Sequence, residues 1–241
     1  MLLENCVTLL FVVILSTLLA GLGMTAGAAI ACFKMRWINN EVQHGIVAFG
    51  GGALLSAVAL VLVPEGMEHT MPFTACAFFI LGGLCFMFLD IFLKKRNTPA
   101  SQLAAMVSDF IPESIALGAA FATGSNGAFL LAGLIALQNI PEGFSAYREL
   151  NESPSFNTKK ILIIFTLLAF LGPVAGASGY LWLSGSPVII ACIMLFASGG
   201  ILYSIFQDLA PKVILKNHLA PPMGAVLGFV FGMLGFMLTA A

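Results

Sequence analysis

Apolar residues fill eight long stretches of this chain, and polar residues collect in the joints between them. The stretches cover about 6–33, 45–64, 72–93, 103–123, 128–147, 161–183, 188–207 and 222–240. Each has about the length that an α-helix needs to cross a hydrocarbon core roughly 30 Å thick. The pattern therefore predicts an all-α integral membrane protein whose eight transmembrane helices form a single domain over residues 1–241.

The composition of the chain agrees with this class. Of 241 residues, 60% are hydrophobic and only 9% are charged, whereas soluble proteins average roughly 25% charged residues. We expect the first stretch to stay in the mature protein, because its leader carries Glu4 and no basic residue. The apolar composition makes the lipid bilayer the expected surrounding. The formal net charge of −1 predicts no nucleic-acid partner.

The basic residues predict how the helices are oriented. All ten fall in odd-numbered joints between the stretches: Lys34, Arg36, Lys94, Lys95, Arg96, Arg148, Lys159, Lys160, Lys212 and Lys216. Short cytoplasmic loops collect Lys and Arg, so these joints are predicted to face the cytoplasm. Both termini then lie on the extracytoplasmic side of the cell membrane.

Two parts of the chain resemble each other at a nearly constant offset. Residues 49–65 align with 196–212 at an offset of 147, and residues 18–28 align with 167–177 at an offset of 149. A weaker Leu-Gly match joins the third and eighth stretches. Because three helices recur after five, the second copy must cross the membrane in the opposite sense. This predicts a 3+2+3 arrangement with an inverted repeat of spans 1–3 and 6–8, which is typical of secondary transporters.

The candidate chemistry lies on spans four and five, between the two copies. One reads DFIPESIA from Asp109 and the other reads QNIPEGFSA from Gln138, so Ile-Pro-Glu recurs after 29 residues. A spacing of four residues puts Glu113 on the face of Asp109, and Glu142 on the face of Gln138. The joint between these spans is short, so we expect antiparallel neighbours whose polar pairs meet near the middle of the membrane.

Acidic residues at this depth need a positive partner. An Asp at the centre of a membrane helix costs roughly 2.5–3.5 kcal/mol, and no Lys or Arg lies within any predicted span. Either protons or a bound cation must neutralise the acids. Oxygen ligands from two helices suit a divalent metal ion, and Pro112 and Pro141 each free a backbone carbonyl nearby. The sequence predicts a cation site, with a protonated structural cluster as the alternative.

The paired motifs resemble those of the Zrt/Irt-like (ZIP) family of divalent-metal transporters. The span-five motif QNIPEG fits the family pattern fully, whereas the span-four motif DFIPES keeps only its Pro and Glu. The resemblance implies a divergent, prokaryotic-type member with eight spans and outward termini. It implies Zn²⁺, Fe²⁺ or Mn²⁺ as the transported ion and no other cofactor. The implied metal ligands are Asp109, Glu113, Gln138 and Glu142.

Departures from the family pattern refine this expectation. Asp109 stands where the family usually has a His, so an all-oxygen site should favour Mn²⁺ or Fe²⁺ relative to Zn²⁺. Phe110 replaces an Asn, and Gly172 precedes Pro173 where many relatives have a Glu. Both positions contribute to a second metal site in two-metal relatives. We therefore expect one metal ion, with Asn139 as its remaining neighbour.

Further polar residues lie toward the two ends of the predicted path. Gln207 and Asp208, just before a proline on span seven, resemble the exit motif His-Glu-x-x-Pro of the family. They are predicted to line the inner path, with a solvated helix end as the alternative. Glu65 clusters with Glu68 and His69 at the outer end of span two, where it either gathers cations or forms ordinary surface.

The sequence thus predicts metal transport toward the cytoplasm by alternating access. An intramembrane enzyme is disfavoured, because no His lies at depth and Asp109 has only glutamates for company. The alternative is a proton-coupled carrier of a small organic cation, for which Phe110 is the only obvious aromatic contact. The sequence leaves the oligomeric state open, with a homodimer as the candidate.

Overall fold

The computed structural model describes residues 2–33, 40–96, 99–125, 127–183, 185–214 and 219–240. These residues form eight helices and no strand, which confirms the predicted all-α class. The helices are α1 (Leu2–Cys32), α2 (40–68), α3 (Pro72–Arg96), α4 (Pro99–Thr123), α5 (Ala128–Asn151), α6 (158–183), α7 (187–213) and α8 (Pro221–Ala240). Of the basic residues that predict the orientation, Lys34, Arg36 and Lys216 lie outside the described residues.

In the described part of the chain, six of the eight helices are long and apolar enough to cross a membrane. They are Val7–Cys32, Glu41–Glu68, Pro72–Leu93, Thr158–Trp182, Pro187–Leu209 and Pro221–Thr239. The other two are α4 and α5, with 25 and 24 residues. At about 1.5 Å per residue they have the length of a span, but their polar residues lower the mean hydropathy. Both contain acidic residues in their interior, Asp109 and Glu113 in α4 and Glu142 in α5.

Protein rather than open surface surrounds the central part of α5. Leu131, Leu134, Gln138 and Asn139 are each 1% exposed. By contrast, only 11% of the apolar window is buried in α3 and in α8, against 67% in α2. Exposed apolar surface of this extent fits a multi-pass membrane protein in contact with lipid. Because other helices shield α4 and α5, their polar residues avoid hydrocarbon.

Helices α2 and α7 each contain one π-helical turn, Val58–Leu62 and Ile205–Leu209 respectively. Each turn ends two residues before a proline, Pro64 or Pro211. A proline has no N–H to donate, and its ring clashes with the carbonyl four residues earlier. The residue after each turn donates its N–H to the first carbonyl of the turn, five residues back. This is the π-helical bonding pattern, and it widens the helix locally.

The two π turns lie 147 residues apart, and close helix contacts recur at matching positions. A Cβ on Gly52 would lie 2.0 Å from the carbonyl oxygen of Ala225, and a Cβ on Gly199 would lie 1.9 Å from that of Phe79. Only glycine allows the backbones to approach this closely. Gly199 lies 147 positions after Gly52, and Ala225 lies 146 positions after Phe79. These are the offsets found in the sequence.

The helix pairs follow the same pattern. Helix α1 packs on α5 and α6 on α4, while α2 packs on α8 and α7 on α3. If α1, α2 and α3 are exchanged with α6, α7 and α8, and α4 with α5, the pair α1–α5 becomes α6–α4. In the same way, the pair α2–α8 becomes α7–α3. The packing forms two four-helix groups, one of α1, α4, α5 and α6 and the other of α2, α3, α7 and α8. These groups meet mainly where α2 contacts α5 and α7 contacts α4.

Candidate functional site

Glu113 on α4 and Gln138 on α5 are in direct contact inside the bundle. The Gln138 side chain donates from Nε2 to both carboxylate oxygens of Glu113, at 2.7 and 2.8 Å. Glu113 is 3% exposed and Gln138 is 1% exposed. The structure therefore brings together two of the four predicted ligands, one from each site helix.

Two buried oxygen atoms on the site helices lack hydrogen-bond partners in the described part of the chain. They are Oε1 of Gln138 and Oγ of Ser114. Buried polar atoms without partners are rare in folded proteins, and each costs about 1–3 kcal/mol. An amide oxygen is an ordinary ligand for hard divalent cations. The site thus offers an acceptor atom that a bound cation would satisfy.

Asp109 extends the acidic group along α4 toward α7. Its carboxylate accepts a hydrogen bond of 3.2 Å from Oγ of Ser204, and its side chain is partly exposed. It lies close enough to Asp208 and to Glu113 for electrostatic interaction with both. The acids therefore form a series from the buried Glu113 through Asp109 to Asp208.

Helix α1 holds the site helix α5 in place through Asn139. The Asn139 amide nitrogen donates to the backbone carbonyl of Ala20 at 2.8 Å. One residue further along α5, the carbonyl oxygen of Ile140 would lie 1.9 Å from a Cβ on Gly27. Asn139, which we predicted as a neighbour of the metal, thus uses its amide nitrogen to join two helices.

Glu142 lies one turn after Gln138 on α5 and is partly exposed. Within the described ranges, no three side chains of His, Cys, Asp or Glu form a group that could hold a metal ion. Asp109, Glu113 and Glu142 therefore do not form such a group in this structure. The complete set of Asp109, Glu113, Gln138 and Glu142 therefore stays a prediction.

Phe110 fills the space between α1, α4 and α6. The side chain is 1% exposed, and its Cζ would lie 2.7 Å from a Cβ on Gly21 and 2.7 Å from a Cβ on Gly172. Phe110 and Gly172 are the two positions that depart from the two-metal pattern. In the structure they contact each other, so an aromatic ring occupies the space beside them.

The two residues of α7 that were predicted to line the inner path fall in its π turn. Gln207 is exposed, whereas Asp208 is partly buried and lies near Asp109. The sequence analysis did not identify Ser204, which donates to Asp109. Its position four residues before Asp208 was the available signal, because such residues share a helix face.

Glu65 belongs to a cavity of about 440 Å³ at the opposite end of α7. Glu68, His69 and Ser125 also line this cavity, and Ser125 donates a hydrogen bond to Glu65. Its lining includes Ile190, which lies about 27 Å from Asp208 along α7, at 1.5 Å per residue. The cavity and Asp208 therefore mark opposite ends of the bundle.

No protein-family model matches the chain, and no curated protein matches it. The arrangement of side chains therefore carries the functional argument. The Glu113 carboxylate and the Gln138 amide meet in the interior, and the predicted spans four and five contain no Lys or Arg. Such a group can bind a cation by exchanging internal hydrogen bonds for metal–oxygen bonds.

Proposed function

We propose that the protein is a divalent-metal transporter of the ZIP type that moves its ion toward the cytoplasm. The observation that carries this proposal is the buried contact of Glu113 with Gln138, in which the amide oxygen has no partner in the described part of the chain. An ionised carboxylate away from water is costly unless charge or hydrogen bonds compensate it. The amide supplies a dipole only, whereas a divalent cation would supply charge and satisfy the amide oxygen.

The proposed site contains one metal ion between α4 and α5. Glu113 and Gln138 form its buried part, and Asp109 and Glu142 complete it. Because all these ligands are oxygens, the site should favour Mn²⁺ or Fe²⁺ relative to Zn²⁺. The Phe110 ring occupies the space beside Gly172, at the two positions that contribute to a second metal site in two-metal relatives. This supports one ion rather than two.

The proposed architecture is eight spans in a 3+2+3 arrangement with an inverted repeat and both termini outside. The recurrence of the π turns, the glycine contacts and the helix pairs at matching positions supports the repeat. In transporters with inverted repeats, the substrate site lies near the membrane midplane where the repeats meet. Helices α4 and α5 each contact helices from both 1–3 and 6–8, which supports a site between the two repeats.

The proposed path begins at the cavity around Glu65, reaches Glu113 and Gln138, and leaves past Asp109 and Asp208. Access from opposite sides would come from movement of the two four-helix groups relative to each other. The site helices share a group with α1 and α6, so that group would carry the ion. The organic-cation alternative is weaker, because Phe110 packs between helices and is 1% exposed.

Uptake of radiolabelled Mn²⁺ into vesicles containing the full chain tests this proposal. Glu113→Ala and Glu142→Ala should each lower uptake by about tenfold or more, since hydrogen-bonded charged groups contribute roughly 1.5–3 kcal/mol. Glu149→Ala is the matched control, because Glu149 is an exposed acid on the same helix as Glu142. Asp109→His should shift preference toward Zn²⁺.

Equal uptake by the wild type, Glu113→Ala and Glu142→Ala would contradict the proposed site. Loss of uptake in the Glu149→Ala control as well would assign the effect to acidic residues in general. Unchanged ion preference in Asp109→His would remove Asp109 from the ligand set.

A further inference from the structure

We infer that the Gln138 amide competes with the metal for Glu113, and that it turns over to present its oxygen when the ion binds. This inference rests on the proposed function. It concerns how the same site binds and releases its ion. It predicts that the carboxylate has two alternative partners, the amide hydrogens and the metal.

The contact geometry defines the first of these two arrangements. Both donors of an amide group lie on its nitrogen, and both of its acceptor lone pairs lie on its oxygen. The Gln138 nitrogen contacts both oxygens of Glu113, at 2.7 and 2.8 Å. The Gln138 oxygen faces the other way and has no partner in the described ranges. Only half of the hydrogen-bonding capacity of the amide is therefore used.

Charge determines which half of the amide faces Glu113. With the amide reversed, three oxygen acceptors would lie against one another, and they would repel unless a cation lay between them. A divalent ion bound to Glu113 inverts this preference, because it repels the NH₂ group and attracts the oxygen. The terminal torsion of a glutamine is broad and roughly two-fold. Rotation about it exchanges the nitrogen and the oxygen while the backbone of α5 stays in place.

This competition would help the ion to leave as well as to bind. An arriving ion must displace two hydrogen bonds to a charged group, which are stronger than neutral ones. The affinity of the site for the ion is therefore lower than it would be without these hydrogen bonds. When the ion departs, the amide recovers the carboxylate, so Glu113 keeps a partner in the membrane interior. The transporter could then return without cargo and without an unpaired buried charge.

The test is nuclear magnetic resonance of the full chain in lipid nanodiscs with ¹⁵N-labelled glutamine side chains. The chain has four glutamines, Gln43, Gln102, Gln138 and Gln207. Gln138→Glu identifies the Gln138 signal by its loss, and Gln43→Glu is the matched control. Glu113→Leu, with Glu113→Gln as a second variant, gives the position of the Gln138 signal without a carboxylate partner. The probe is Zn²⁺, which is diamagnetic, and calorimetry on the same samples measures its binding.

Before Zn²⁺ is added, we expect the Gln138 amide protons downfield of their position in Glu113→Leu. Zn²⁺ should move them to that reference position and leave the Gln43 signal unchanged. If Zn²⁺ binds and the Gln138 protons stay where they were, the inference is overturned while the transporter proposal stands. If calorimetry detects no binding of Zn²⁺ or of Mn²⁺, the proposed function fails and the inference fails with it.

Discussion

The π turns of α2 and α7 have the same backbone but opposite chemistry. Each precedes a proline by the same interval, and the two lie 147 residues apart. The turn in α2 presents Leu60 and Val61 at the positions where the turn in α7 presents Gln207 and Asp208. The two turns thus share a helix geometry, whereas their individual side chains differ.

This difference separates the two ends of the proposed path. Val61 is 2% exposed and lies beside Gly127, at the turn that joins the site helices. Asp208 instead lies near Asp109, at the other end of the bundle. The π turn of α2 therefore packs an apolar residue beside the joint between α4 and α5. The π turn of α7 places a carboxylate near α4.

The largest effect is expected when the apolar turn receives the acid of its counterpart. Val61→Asp buries a carboxyl group where Val61 now packs, and a buried polar group without a partner costs about 1–3 kcal/mol, more if it is charged. The thermal unfolding temperature in detergent should fall clearly. Val63→Asp, two residues away at a partly exposed position, should cause a smaller loss. Equal losses in the two variants would show that the two positions are packed alike.

The converse exchange tests the acidic turn. Asp208→Val gives α7 the residue of α2, and removing a charged group from the path should lower Mn²⁺ uptake by about tenfold. The protein should remain folded, because a half-buried acid is replaced by an apolar residue. Phe206→Leu, at a neighbouring position that is 67% exposed, should leave uptake unchanged. Uptake by Asp208→Val at the level of Phe206→Leu would remove Asp208 from the path.

Equal losses of stability are expected at the two matching glycine contacts. Gly52→Ala and Gly199→Ala each place a Cβ about as close to a carbonyl oxygen, 2.0 and 1.9 Å. Each should lower the free energy of unfolding by about 1–3 kcal/mol, as overpacking does. Gly133→Ala is the control, because a Cβ there meets nothing within 4 Å. Strongly unequal losses at Gly52 and Gly199 would mean that the matched contacts do not serve the same purpose.

Much of the fold could be predicted from the sequence, because bilayer thickness fixes the helix length and lipid requires apolar residues. The two segments that resemble each other in sequence also match in structure, since their π turns and glycine contacts recur at nearly the same offset. The π turns were not predictable. A proline signals a missing N–H but not how the helix responds, and α4 and α5 continue as α-helix through Pro112 and Pro141, whereas Pro64 and Pro211 follow π turns.

The site was predictable only where local geometry determines it. The spacing of four residues and the short joint place Glu113 near Gln138, and the structure shows their hydrogen bonds. The bonds of Asn139 to Ala20 and of Ser204 to Asp109 join helices that are distant in sequence. Those contacts depend on how the bundle packs, which local periodicity does not specify.

Anomalous X-ray diffraction at the manganese absorption edge is the sharpest test of metal binding by Glu113 and Gln138. Crystals of the full chain grown with Mn²⁺ should show one strong peak in contact with the carboxylate of Glu113 and the amide oxygen of Gln138. The absence of a peak there, or a peak confined to the cavity of Glu65, Glu68 and His69, would contradict the claim that these two buried side chains bind the transported ion.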